Sequence, residues 1–126
     1  MRKYLYLCLL IMEKLLHYTW KHRLYPLGTL TTTDDRTVEV IDPGLHNKGD
    51  AGPDFFNAKI RVNGTEWIGN VEIHLKASDW FRHGHDKDAA YDNVILHVVE
   101  NADMDVMTSS GRVPAQMVLK VPEKLK

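Results

Sequence analysis

Residues 52–76 read GPDFFNAKIRVNGTEWIGNVEIHLK, and this stretch decides the fold. Asn63-Gly64 lies between two segments in which apolar and polar residues alternate. An Asn-Gly pair in that setting is the strongest short-range signal for a β-hairpin, because a type I′ turn needs positive φ at both central residues. The sequence therefore predicts two antiparallel strands that meet at this turn.

The turn also sets the register of the two strands. Side chains alternate between the faces of a strand, so one register gives an apolar and a polar face, and a shift by one residue would mix them. The predicted pairs are Val62–Thr65, Ile60–Trp67, Ala58–Gly69 and Phe56–Val71. The predicted apolar face holds Phe56, Ala58, Ile60, Val62, Trp67, Val71, Ile73 and Leu75, and the polar face holds Asn57, Lys59, Arg61, Asn70, Glu72, His74 and Lys76.

The rest of the chain predicts one long helix, further strands and a short helical region. Apolar spacing predicts a helix from about Tyr4 to about Trp20, with a stripe of Leu9, Met12, Leu15, Leu16 and Thr19. We also predict a turn at 31–35, strands at 36–42, 93–100 and 116–121, a polar loop at 45–53 and a loosely helical stretch at 78–92. The nearly all-apolar segment 93–100 is typical of a strand covered on both faces. The order α, β, β, β, short α, β, β predicts an α+β fold, a mixed sheet with the N-terminal helix packed on it.

Composition and length indicate an ordinary globular protein. With 44% hydrophobic and 26% charged residues, residues 1–126 suit a single domain. The net charge of −1 gives no general attraction to nucleic acid. Cys8 is the only cysteine, which excludes an internal disulfide and a cysteine-based zinc site, and we predict a cytoplasmic protein.

The first residues, MRKYLYLCLLIM, have the charge and hydropathy of a signal peptide. No small-residue cleavage site follows them, and the apolar run is too short to span a bilayer, so no membrane association is predicted. Met12-Glu13 is itself a credible translation start. This leaves open whether residues 1–11 are an upstream extension.

Three titratable residues occupy every second position at the end of the predicted hairpin. Glu72, His74 and Lys76 therefore share one face, and Asp54 lies at the start of the neighbouring strand. One or two carboxylates suit a hard divalent cation such as Mg²⁺ or Mn²⁺, and an imidazole or ammonium group beside it could orient or deprotonate an attacking water. The alternative is an ordinary solvent-exposed face of a half-buried hairpin.

The predicted register raises one difficulty for a shared cation. Strict alternation places Asp54 on the apolar face, opposite Ile73, and away from the face of Glu72. The two carboxylates converge only if a bulge or turn at Pro53-Asp54-Phe55 rotates the chain. A proline just before a strand is compatible with such an irregularity.

Pro53-Asp54 and Glu72-Ile73-His74 together resemble the motif of the PD-(D/E)-x-K nucleases, the restriction-endonuclease-like superfamily. The resemblance implies an α-β-β-β-α-β core. It also implies that Asp54, Glu72 and the backbone carbonyl of Ile73 bind the metal, with nucleic acid as the substrate.

The chain departs from that motif at one position. His74 stands where the superfamily has a lysine, so a fixed positive charge is missing, and Lys76 on the same face is the candidate substitute. Glu13 on the first helix would be the extra acid that many members carry there. Lys21, His22, Arg23, Lys59 and Arg61 could contact phosphates or form an ordinary solvated surface.

A second group of metal-ligand types lies in SDWFRHGHDKDAAYDNVILH, residues 78–97. His83 and His85 are two residues apart with aspartates nearby, and imidazole with carboxylate suits zinc, manganese or iron. The alternatives are a solvated polar loop and a loop that lines the same cleft as Glu72. His97 is interpreted as a hydrogen-bonded core residue.

Longer motifs, GPDFFNAKI, GNVEIHLKASDW and HGHDKDAAYDNVILHVV, resemble the signature of a bacterial family of unknown function from Met12 to about Pro122. Members continue beyond this chain, so we expect it to be the N-terminal portion of a longer protein. The leading hypothesis is a divalent-metal-dependent, nuclease-like phosphodiester hydrolase, in an active or a degenerate form. The alternatives are a non-catalytic binding or scaffold module and a metal-dependent hydrolase centred on His83 and His85.

Overall fold

The computed structural model describes residues 2–26, 30–49 and 51–126. Within these ranges the helices are α1 (Arg2–Lys21) and α2 (Asp79–Arg82). The strands are β1 (Leu30–Thr31), β2 (Thr37–Asp42), β3 (Leu45–His46), β4 (Phe55–Val62), β5 (Thr65–Lys76), β6 (Val94–Asn101) and β7 (Ala115–Val118). Short 3₁₀ turns lie at His85–Lys87, Ala89–Tyr91 and Glu123–Leu125.

The strands form one mixed sheet in the order β1-β2-β4-β5-β6-β7, with β3 paired to β4. All pairs from β1 to β5 are antiparallel, whereas β6 is parallel to both β5 and β7. A bridge between Thr32 and Met117 connects the two outer ends, so the sheet is nearly closed. The predicted α+β class, with an N-terminal helix and a mixed sheet, is confirmed.

The short elements differ from the sequence prediction. β1 and β3 fall partly in segments predicted as a turn and a polar loop. Each has only two residues and depends on pairing with a distant strand, which local sequence does not reveal. The last strand is shorter than predicted, and the stretch 78–92 is helical only in α2 and in two 3₁₀ turns. Gly84, with a φ of 75°, separates α2 from the first of these turns.

The turn between β4 and β5 is the predicted one. Asn63 and Gly64 have φ angles of 47° and 81°, the positive values that a type I′ turn requires. Three predicted pairs are confirmed outward from it: Val62–Thr65, Ile60–Trp67 and Ala58–Gly69. Near the turn, local sequence is therefore sufficient to set the register.

A bulge in β4 changes the register beyond Ala58. The predicted pair Phe56–Val71 is wrong, because the register shifts and Phe55 lies opposite Val71. Asn57, within the bulge, has a φ of 57°, a left-handed conformation that asparagine adopts more readily than most residues. The extra residue reverses the alternation, so Phe55 enters the core and the residue before it moves to the opposite face.

Both faces of the sheet are covered where β5 and β6 pair. Glu72 and His74 are only 4% and 1% exposed because α2 and the following 3₁₀ turn lie over them, so the alternative of an ordinary solvent-exposed face is wrong for these two residues. The prediction of a core position for Trp67 is wrong, since this side chain is 45% exposed. β6 pairs with β5 only from Asn70 onward, which leaves Trp67 on an open edge.

Two apolar clusters cover the opposite faces of β6. The first contains Val98 and the α1 residues Leu16 and Trp20, and the second contains Val99 and Trp80. The indole N–H groups are also used, because Trp20 donates to the carbonyl of Pro43 at 3.0 Å and Trp80 to that of Met107 at 2.9 Å. The titratable side chains of β5 lie on the Trp80 face.

The N-terminal half of α1 extends beyond the sheet. Leu16 and Thr19 are buried and Met12 and Leu15 are partly buried, as predicted. Leu9 was predicted in the same stripe but is 49% exposed.

Substitutions at Asn57 test the bulge. Valine adopts positive φ poorly, so Asn57→Val should lower the free energy of unfolding by about 1–2 kcal/mol. Asn57→Gly should change it by less than about 1 kcal/mol, since glycine has no Cβ to clash. Urea unfolding followed by tryptophan fluorescence measures both, and a valine variant as stable as wild type would contradict the left-handed conformation.

Candidate metal centre

Asp54 and Glu72 lie side by side where the pairing of β4 and β5 ends. The N–H of Ile73 donates to Oδ2 of Asp54 at 2.8 Å, and the N–H of Asp54 donates to Oε1 of Glu72 at 3.1 Å. The carboxyl groups are close enough to hydrogen-bond to each other when one is protonated. The irregularity expected at Pro53-Asp54-Phe55 lies instead at Asn57, and it moves Asp54 to the Glu72 side of the sheet.

The environment places unequal charge on the two acids. Burial raises the pKa of Asp54, and the adjacent Glu72 carboxylate raises it further. Burial acts on Glu72 in the same direction, but the imidazoles of His74 and His85 outweigh it and hold the pKa of Glu72 well below its usual range. Negative charge therefore concentrates on Glu72, and a cation would favour the ionised form of both acids.

His17 and Glu13 approach the acid pair from α1. Nε2 of His17 is 3.6 Å from Oδ2 of Asp54 and 3.8 Å from Oε1 of Glu13, and it has no hydrogen-bond partner among the described residues. Burial and the nearby His46 lower the pKa of His17 to about 4, so the ring is neutral at pH 7. Sequence reasoning missed His17, although its i, i+4 spacing from Glu13 places both on one helix face.

Three histidines lie on the other side of Glu72. Nε2 of His85 and Nε2 of His74 are 2.8 Å and 3.2 Å from Oε2 of Glu72. One nitrogen each of His74, His83 and His85 lies within 4.8 Å of the others. His85 is buried and stacked on Tyr91 at 3.7 Å, whereas His83 is exposed. The loop therefore lines the site of Glu72 and is not a fully solvated segment.

A chain of hydrogen bonds fixes the ring of His74. The amide N–H of Gln116 donates to the carbonyl of Met104 at 3.0 Å, so the amide oxygen, 2.8 Å from Nδ1 of His97, accepts. Nδ1 of His97 then carries the proton, and Nε2 of His97 accepts from Nδ1 of His74 at 2.7 Å. His97 is thus a hydrogen-bonded core residue, as interpreted from sequence. The other nitrogen of His74, Nε2, lies 3.2 Å from Oε2 of Glu72.

Of the other residues predicted for the site, Ile73 lies in this cluster and Lys76 lies outside it. Lys76 is exposed at the end of β5, and it forms no ion pair or hydrogen bond with Asp54 or Glu72 in the part of the chain that the structure describes. The main chain of Ile73 does face the acids. The N–H and C=O of a strand residue point to the same side, so the carbonyl of Ile73 points toward Asp54 as its N–H does.

A cleft of about 600 Å³ opens beside Asp54 on the α1 side. Its lining includes two acids, three histidines and three lysines: Glu13, Asp54, His17, His22, His46, Lys14, Lys21 and Lys48. Lys21 and His22 are among the basic residues considered from sequence. Lys59 and Arg61, by contrast, pair with acidic side chains on the hairpin. Asp54 is thus reached from solvent along a cleft that carries basic side chains.

One family model matches residues 13–126, a range that contains every residue of the cluster. The chain belongs to this family, described as Protein of unknown function (DUF2851). No curated protein and no solved structure matches the chain. Neither α1 nor α2 has both the length and the apolar composition that crossing a bilayer requires. The DUF2851 description assigns no activity, so the chemistry is argued from the geometry.

The adjacency of the two acids predicts a stabilising substitution in metal-free protein. Asp54→Asn replaces a partly buried carboxyl group, whose pKa is raised by burial and by Glu72, with a neutral amide, and it keeps an oxygen for the N–H of Ile73. It should therefore raise the free energy of unfolding in EDTA at pH 8 by about 1 kcal/mol or more. Asp105→Asn, at an exposed position, should change it by less than about 0.5 kcal/mol. Urea unfolding measures both, and a destabilised Asp54→Asn variant would show that the acids do not repel.

Proposed function

We propose that the chain is a divalent-metal-dependent, nuclease-like phosphodiester hydrolase. The observation that supports this most is the pairing of a partly buried Asp54 with a buried Glu72 beside an open, lysine-lined cleft. Two buried acids held side by side are both ionised only when a cation offsets their repulsion. Mg²⁺ or Mn²⁺ suits such carboxylate oxygens and keeps positions free for water and phosphate.

The order of the elements gives further support. With the two-residue strands β1 and β3 set aside, the chain runs α1, β2, β4, β5, α2, β6. β2, β4 and β5 are antiparallel neighbours, and β6 is parallel to β5. This agrees with the α-β-β-β-α-β order that the resemblance to the PD-(D/E)-x-K nucleases implies, with Asp54 and Glu72 on successive strands of the set.

The ion would be held by the carboxylates of Asp54 and Glu72 and the carbonyl of Ile73. When bound, it would polarise a phosphoryl oxygen and lower the pKa of a bound water. Two imidazoles lie next to these ligands and could accept the proton of the water. His74 is the one predicted from sequence, and His17, whose unpartnered Nε2 lies 3.6 Å from Asp54, is added by the structure.

The cleft suggests how a substrate would be held. The motif lysine is replaced by His74, and Lys76 is outside the cluster, so fixed positive charge must come from elsewhere. Lys14, Lys21 and Lys48 line the cleft that leads to Asp54. Ammonium groups along such a cleft favour a phosphate backbone, which indicates a nucleic acid as substrate.

Cleavage assays test this function. Labelled single- and double-stranded DNA and RNA are offered to the protein with Mg²⁺ or Mn²⁺. We expect Asp54→Asn and Glu72→Gln to reduce the rate by at least about 100-fold, because each removes a charged metal ligand. Asp105→Asn serves as the matched control and should retain the wild-type rate.

Two results would contradict the proposal. Cleavage that persists in both ligand variants would assign the activity to a contaminant or another site. Binding of nucleic acid without cleavage under any metal condition would instead support a non-catalytic binding or scaffold module.

A further inference from the structure

Three imidazole nitrogens and one carboxylate oxygen converge on the α2 side of Glu72. The nitrogens of His74, His83 and His85 lie within 4.8 Å of one another, and Oε2 of Glu72 is 2.8 Å and 3.2 Å from two of these rings. Atoms that bind a tetrahedral zinc ion at about 2.0–2.1 Å lie about 3.3 Å apart. The three imidazole nitrogens are thus near the spacing that one small ion requires, and Oε2 of Glu72 is within reach beside two of them.

The polar contacts within this group are incomplete at one buried nitrogen. Nε2 of His85 is buried and has no hydrogen-bond partner among the described residues, since its N–H is not aligned on the Glu72 oxygen only 2.8 Å away. Nε2 of His74 lies 3.2 Å from the same oxygen, while Nδ1 of this ring donates to His97 at 2.7 Å. A buried polar atom that is left without a partner costs free energy. One ion would give Nε2 of His85 that partner.

The rings are also oriented as metal-binding rings usually are. A histidine that binds a metal commonly donates its other ring N–H to an acceptor, which fixes the tautomer. His74 does so through His97, which in turn donates to the amide oxygen of Gln116. The ring of His85 is held by stacking on Tyr91. Buried neighbours thus fix the ring orientation of two of the three imidazoles.

We propose that His74, His83, His85 and Oε2 of Glu72 bind a transition-metal ion, with zinc as the expected ion. Imidazole ligands suit zinc, copper, iron and nickel, whereas carboxylate, carbonyl and water oxygens suit magnesium and manganese. The inference rests on the proposed function in one respect. Glu72 would offer Oε2 to this ion and Oε1 to the ion beside Asp54, and would so link the two.

The proposed centre is therefore binuclear. Two metal ions on either side of one carboxylate can stabilise both the attacking and the leaving oxygen of a phosphoryl displacement. His74 serves in it as a ligand, which leaves His17 as the imidazole free to accept a proton.

Titration of metal-free protein with Co²⁺ tests the histidine site without any assay of hydrolysis. We expect one Co²⁺ ion per chain to give the visible absorption of four-coordinate cobalt, and Zn²⁺ to displace it. His83→Ala removes an exposed ligand at little cost to the core. It should weaken Co²⁺ binding by more than the 10–100-fold typical of changes outside the ligand set. His22→Ala removes an exposed histidine away from the three rings and should leave the affinity unchanged.

Asp54→Asn distinguishes this site from the proposed function. We expect this variant to keep the cobalt absorption while it loses hydrolysis. Unchanged Co²⁺ affinity in His83→Ala, or equal loss in His83→Ala and Asp54→Asn, would overturn the histidine site even if the wild type cleaves nucleic acid. Cobalt bound through His83 with no cleavage of any substrate would leave this site standing and reject the proposed function.

Gln116 is expected to act as a positioning residue for this site. Gln116→Leu removes the acceptor that fixes His97 and, through it, His74, so Co²⁺ binding should weaken by about 10–100-fold. Gln116→Glu keeps an acceptor oxygen and should restore most of the affinity. Equal affinities in the two variants would show that the hydrogen-bonded chain does not orient a ligand.

Discussion

A single extra residue in β4 is the constraint on which the site depends. Without the bulge at Asn57, the alternation of side chains would place Asp54 opposite Ile73 and toward the apolar cluster. With it, Phe55 takes the core position opposite Val71, and the carboxyl group of Asp54 comes beside that of Glu72. The left-handed backbone of one asparagine thus decides which face of the sheet receives an acid.

Glu72 lies at the meeting point of two groups of side chains. Its Oε1 faces the main chain of Asp54, which His17 and Glu13 approach from α1, and its Oε2 faces the histidines held by α2 and the turn after it. The sheet is covered on both faces here, so water screens these charges little. This arrangement explains why Glu72 carries most of the negative charge and why the pKa of its neighbour Asp54 is raised.

Sequence reasoning was sufficient where local chemistry decides the structure. The Asn63-Gly64 turn, the first three pairs of the hairpin and the covered strand β6 follow from residue types and alternation. It failed where distant contacts decide. Nothing local shows that α2 covers Glu72 and His74, that Trp67 lies on an open edge, or that β1 and β3 pair. His17 and Gln116 were missed for the same reason, because each gains its importance from a residue on another element.

The most direct test of the account is an anomalous diffraction map from crystals of the protein soaked in Mn²⁺. The account predicts a manganese peak within about 2.5 Å of a carboxylate oxygen from both Asp54 and Glu72. A map in which Asp54 points away from Glu72, or in which manganese binds elsewhere, would contradict the claim that the bulge in β4 builds a shared cation site.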